Sequence, residues 1–181
     1  FQQSQVGRLT DYPLMAANDG LIGIMTADSG RSAKNVAPFG GRKRRLGTNP
    51  ICIAVPSDLE GPMFIDFATS AVAGGKISLA VARDMLIPDG WIVDKQGNPT
   101  TDPNDLENGG AQLPLGGTEG HKGYGLSVMV EILSGILTGL GFGHDPSGRH
   151  NDGCFMAAFD VSAFRPLDQF KREVTELAKY L

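Results

Sequence analysis

Two cysteines, one tryptophan and three histidines are all that this 181-residue chain holds of three chemically versatile residue types. Two cysteines cannot build a disulfide scaffold. Cys52 and Cys154 both sit in apolar stretches, so two buried, reduced thiols and a cytoplasmic setting are expected. His121, His144 and His150 lack zinc-ligand spacing and have no cysteine pair beside them, so no metal is expected. The most apolar segment, Leu126 to Leu140, is broken by Glu131 and by serine, threonine and glycine, and is too short to cross a bilayer. A net charge of −4 gives no reason to expect nucleic acid or an anionic membrane as partner. Several sequence signatures are missing as well. No G-x-G-x-x-G follows a strand pattern, which argues against a Rossmann nucleotide fold, and no G-x-S-x-G elbow is present.

Glycine and proline, by contrast, are plentiful at 25 and 11 residues, which implies tight turns and loops whose backbone approaches something closely. Between them lie apolar runs of two periods. Residues 9–19 read as a helix stopped by Gly20, and residues 73–85 as an amphipathic helix with Ile77, Ala80 and Val81 inward. Residues 123–140 read as a long helix, apolar almost all round and therefore central, and 167–181 as a closing amphipathic helix. Residues 21–25, 51–55, 63–67, 91–94 and 154–161 read as strands. Residues 26–49 form a long loop. The irregular alternation predicts one α+β domain.

Three stretches carry candidate chemistry. "GGTEGHKGYG" (116–125) places five glycines around His121 and Lys122 at the start of a helix. Its backbone N–H groups and the helix dipole favour an anion there, and Lys122 adds a full charge that the dipole alone would repel. A phosphate loop of the kinase or ATPase kind needs Ser or Thr after the lysine; Gly123 stands there, so phosphoryl transfer is disfavoured. "IDFATS" (65–70) puts Asp66 where a strand meets a loop, equally suited to a ligand carboxylate or an Asx turn. "LGTNP" (46–50) reads as a turn with Asn49 held extended by Pro50. The basic run at 42–45 reads as a solvated loop.

In order along the chain stand "VGRLTDY" (6–12), "VAPFGG" (36–41), "LGTNPI" (46–51), "IDFATS" (65–70), "GKI" (75–77), "IPDGW" with "GNPTTDP" (87–103), "LPLGG" (113–117) and "HKGYGL" (121–126). Together they resemble the malate/L-lactate dehydrogenase family over roughly residues 4–165. The resemblance implies a mixed, largely antiparallel sheet flanked by helices that holds NAD or NADP without a Rossmann fold. It also implies a homodimer acting on a small 2-hydroxy acid such as malate or lactate. Residue by residue it assigns cofactor contact to Ser29, Asp66, Phe67, Ala68 and Lys122.

The same resemblance exposes a departure. The family's acid/base histidine falls on Gln5, which can hold a substrate oxygen but exchanges no proton near neutral pH. His121 is a candidate replacement, and Arg8 a candidate partner for a substrate carboxylate. The rival expectation is a catalytically silent dinucleotide-binding or dimerisation module. The family's Ser-His-Gly segment and its Pro-Gly-Glu region are not found in these 181 residues, so residues 1–181 are expected to be the central cofactor-binding domain of a longer chain.

Overall fold

The computed structural model describes residues 6–28, 30–147 and 151–181. Gln5, Ser29 and His150 lie outside the described residues. The chain begins with helix α1 (Asp11–Asn18), in which Pro13 occupies the first turn, where no N–H is required, and Asp11 complements the helix dipole. Gly20 ends the helix at φ 83°, a conformation open to glycine, and turns the chain into strand β1 (Leu21–Ala27). Strands β2 (Ile51–Val55), β3 (Met63–Phe67) and β7 (Cys154–Asp160) complete a four-stranded sheet in the order β3-β2-β1-β7. Every neighbouring pair in it is antiparallel. A second, three-stranded antiparallel sheet is built from β4 (Ile92–Val93), β5 (Pro99–Thr100) and β6 (Ala111–Gln112) in the order β5-β4-β6. The largely antiparallel, helix-flanked arrangement expected from the family resemblance is present among the described residues, as two sheets. The one parallel pairing among the described residues is the isolated bridge between Val36 and Gln112, which ties the long loop to the smaller sheet.

The period-2 pattern of β1 and β2 places Met25 opposite Cys52 and Gly23 opposite Ala54, so these residues share one face. α1 covers that face. A methyl group at Gly23 would lie 2.7 Å from the backbone of Pro13, so glycine is what lets helix and sheet touch. Leu9, Met25, Ala27 and Cys52 form the core there. A second core, of Val72, Ile77, Ile87, Ile92 and Leu106, joins α2 (Gly74–Ala82) and α3 (Asn104–Glu107) to the smaller sheet. Ile77 faces inward as expected and Ala80 packs at its margin. Val81 is exposed, because the helix lies against its neighbours along a narrower stripe than the sequence suggests.

The long helix departs most from expectation. α4 (His121–Val130) begins two residues earlier than its apolar run and passes into a π-helical turn, Glu131–Ile136. It is not central. Its inward face is Gly123, Ser127, Val130, Glu131, Ser134 and Gly135, whereas Met129, Ile132, Ile136 and Leu137 point outward, Leu137 with 64% of its surface exposed. The reason is close packing. A methyl at Gly123 would lie 2.1 Å from the Leu115 carbonyl, and one at Gly135 2.4 Å from that of Gly141, so small residues take the contact side. β3, an edge strand, also exposes Phe64 and Ile65. Cys52 is buried; Cys154 is only partly so, which corrects the expectation of two buried thiols. Helix α5 (Leu167–Tyr180) closes the chain, with Leu167 against Gly20 and Thr175 accepting the Asp58 N–H at 2.9 Å.

Candidate functional site

The sequence blocks singled out above are stitched to one another by main-chain hydrogen bonds. The Ala37 N–H reaches the Gln112 carbonyl at 3.0 Å, Thr69 N–H that of Thr48 at 2.9 Å, Ala71 N–H that of Leu113 at 2.8 Å, and Leu115 N–H that of Thr69 at 2.9 Å. Thr69 Oγ1 adds bonds to the carbonyls of Thr48 and Asn49. Residues distant in sequence thus converge on the segment 65–70, and the candidate side chains fall into two groups.

At the first group, Asp66 leaves the end of β3 and its Oδ2 accepts both the N–H and the hydroxyl of Thr10, the residue preceding α1. Thr10 therefore spends its side chain on Asp66 instead of capping its own helix. Arg8 stands beside this pair, with its Nε and Nη2 held by Asp11 Oδ1. The Arg8 guanidinium is raised above its ordinary pKa, chiefly by its hydrogen bond to Asp11 and to a smaller degree by the charge of Asp66. Beneath lies Cys52, opposite Asp66 in the ladder, its thiol pushed up by burial and by the Asp66 charge. Phe67 and Ala68 follow, both half-exposed.

At the second group, Gly116 (φ 120°) and Gly117 (φ 56°) supply two successive left-handed residues, and a single 3-10 turn, Gly117–Glu119, delivers the chain to α4. No side chain caps α4, so the N–H groups of its first turn are left for another acceptor. His121 and Lys122 are its first two residues. Both are exposed and both face Glu119, at 3.8 and 3.4 Å. Glu119 offsets part of the charge that Lys122 places against the dipole. The His121 ring meets Phe39 edge-on, with centroids 5.7 Å apart. His121 thus neighbours Lys122, and Arg8 neighbours Asp66, but among the described residues no hydrogen bond or ion pair joins the two groups. The helix start, two left-handed glycines and a lysine fit an anionic group. Among the described residues, no cluster of three or more histidine, cysteine, aspartate or glutamate side chains could hold a metal ion.

Along the helical segment lies a buried polar network that the sequence pattern did not single out as a set. Glu131, 5% exposed, accepts Lys34 Nζ at 3.2 Å, Asn49 Nδ2 at 2.8 Å and the Gly143 N–H at 3.4 Å. Asn49 also donates to the Ser127 carbonyl at 3.1 Å. Asn49 is not extended before Pro50; it adopts φ 39°, left-handed, a region asparagine tolerates better than most residues and which here is held by its two buried side-chain bonds. Asp28 completes the network. Burial raises its carboxyl pKa first, and the nearby Glu131 charge adds to this, while its bond from the Gly153 N–H at 2.9 Å opposes both. The signal for this network was present as Glu131, a lone charge in the most apolar segment of the chain.

The sequence profile of the malate/L-lactate dehydrogenase family matches residues 2–181. The chain is 43% identical over 174 residues to malate dehydrogenase from Pyrococcus horikoshii, covering 92% of this chain and 47% of that one. It is 44% identical over 174 residues to malate/(S)-sulfolactate dehydrogenase from Methanothermus fervidus, covering 93% and 49%. The crystal structure of malate dehydrogenase from Entamoeba histolytica superposes with a TM-score of 0.87 at 34% identity, over 94% of this chain and 51% of that one. The chain spans about half the length of the curated relatives it matches.

Proposed function

The chain belongs to the malate/L-lactate dehydrogenase family, and from that premise we propose that it works in an oxidoreductase that moves a hydride between NAD or NADP and a small 2-hydroxy or 2-oxo acid. The observation that carries this reading is the convergence of the ordered sequence blocks on segment 65–70, which holds Asp66 and is bonded through Thr69 to Leu115 in the block leading to α4. The dinucleotide is held by this antiparallel α+β frame and not by a parallel Rossmann sheet. The bound nicotinamide would accept or return the hydride. Lys122 and the uncapped first turn of α4 hold a cofactor phosphate. Asp66 keeps Oδ1 for a ribose hydroxyl while Thr10 fixes Oδ2. Phe67 and Ala68 line the same ligand, and Ser29 is assigned to it by the family resemblance alone. Malate and sulfolactate, named for the two relatives, are both 2-hydroxy acids with a second acidic group, and Arg8 is placed in the block that would meet such a carboxylate.

Gln5 orients the substrate oxygen, and His121 is the candidate to take up the hydroxyl proton. Full-length protein given NADH or NADPH with oxaloacetate, pyruvate and sulfopyruvate should consume absorbance at 340 nm. Failure to bind either dinucleotide would overturn the proposal. Gln5 favours a second reading, a silent dinucleotide-binding module, which predicts NADH binding with no turnover. Gln5→His should then restore activity, and His121→Ala should abolish it only if His121 carries the proton. A homodimer in the cytoplasm belongs to the same proposal; the outward apolar stripe of α4 supports the dimer. Sedimentation of the full-length protein as a monomer would remove the dimer.

A further inference from the structure

A cleft of about 710 Å³ lies between residues 42–45 and the turn that follows β4, lined by Arg42, Lys43, Arg44, Arg45 and Lys95 with no carboxylate among its described lining residues. That is a concentration of positive charge on a chain whose net charge is −4. It is also held in place. Arg44 turns inward, its Nε donating to the Gly110 carbonyl at 2.7 Å and its Nη2 to that of Leu106, which anchors the loop to the end of α3. The N–H groups of Arg45 and Leu46 bond to the Val36 carbonyl at 2.8 and 3.0 Å. Arg42 Nη1 reaches across to the Gln96 carbonyl at 3.2 Å and so ties the two walls together. The nearest carboxylate in sequence, Asp94, is consumed by its own turn, accepting the N–H groups of Gln96 and Asn98, each at 2.8 Å. These bonds hold it below the usual carboxylate range. Lys43, Arg45 and Lys95 have no ion pair and no side-chain hydrogen bond among the described residues.

Like charges held this close repel one another, and the fold gains nothing from the three unpaired ones. A solvated loop would not need an inward arginine, a ladder bridge and a cross-cleft bond to fix its shape. We propose that this cleft is a binding site for a ligand carrying clustered phosphate oxygens, distinct from the helix-start site at Lys122. Guanidinium forks and ammonium groups on two walls match an anion with several acceptor oxygens. The site stands whether or not the protein turns over a 2-hydroxy acid.

The test is calorimetric titration of full-length protein with tripolyphosphate at low salt. Saturable binding is expected, weakened about tenfold or more by the double variant Lys43→Glu/Arg45→Glu and by a smaller factor by Lys95→Glu. Lys179→Glu, on α5 and equal in charge change to Lys95→Glu, should leave it unchanged. Circular dichroism melts of each variant establish that the fold is intact. Competition then separates the two sources of phosphate. Displacement by NADP+ but not NAD+ identifies the cofactor's ribose phosphate as the occupant, and displacement by ATP but not NADP+ identifies a separate phosphate ligand. Absence of saturable tripolyphosphate binding, or equal weakening by Lys179→Glu, would overturn the proposal.

Discussion

The two ends of one helical segment treat charge in opposite ways. At the start of α4, Glu119, His121 and Lys122 are exposed, loosely paired and set on a loop built from left-handed glycines. Two turns further on, Glu131 is buried with three donors around it. Exposed pairs contribute little to stability, whereas removing one partner of a buried pair leaves a charge that water cannot reach. The contrast separates scaffold from site. The buried end fixes where α4 lies, and the exposed end is free to spend its charges on a ligand.

The sharpest way to break this comparison is Lys34→Met. It should lower unfolding free energy by about 3–5 kcal/mol, measured by urea denaturation, while the double variant Lys34→Met/Glu131→Leu recovers a large part of the loss. A single-variant loss no larger than that of an exposed pair would sink the distinction. Gly123→Ala comes next. Its methyl would collide with the Leu115 carbonyl, which cannot retreat without moving the loop, and a cost of about 2 kcal/mol is expected with a loss of dinucleotide affinity.

Asp28→Asn tests the electrostatics of the buried end. The Asp28 carboxyl is raised in the folded chain, so the native state binds a proton more tightly than the unfolded state. Stability from this group is present below the ordinary carboxylate pKa and is lost as pH rises through the folded value. Asparagine keeps the acceptor for Gly153 and removes the charge. The variant should therefore be more stable than the parent at neutral pH, with the difference vanishing as pH falls to the ordinary range. A difference that grows on acidification would contradict the assignment. The smallest stability effect belongs to Lys122→Met, within about 0.5 kcal/mol, coupled to a drop of about tenfold or more in NADH affinity by fluorescence titration.

Much of the frame was legible beforehand. α1 with its stop at Gly20, the strands at 51–55 and 63–67, and the closing helix follow from local period and from glycine and proline, which act within a few residues. The orientation of α4 was not. Its sequence is apolar on nearly all sides, and which side turns inward depends on how Leu115 and Gly141, in the loops flanking it, fold back on it and on Asn49, which is remote in sequence. Hydropathy ranks Ile132 and Ile136 above Ser127 and Glu131 for burial; close approach and hydrogen-bond satisfaction reverse the order. The candidate site divides the same way. Lys122 and Asp66 stand out by composition and position. Lys34, Asn49 and Glu131 acquire meaning only as a set, because each is an ordinary loop or helix residue until the chain brings them together.

Cys52 and Cys154 give the molecule two chemical clocks. Cys52 is sealed in β2 with its thiol pushed up by burial, so an alkylating reagent reaches a reactive thiolate there only when the sheet itself opens. Cys154 begins the edge strand β7 and is partly covered, its thiol also raised by burial, so its labelling needs no more than fraying of that edge. The ratio of the two rates reads out, within one molecule and without engineered cysteines, how far breathing at the margin is separated from melting of the centre.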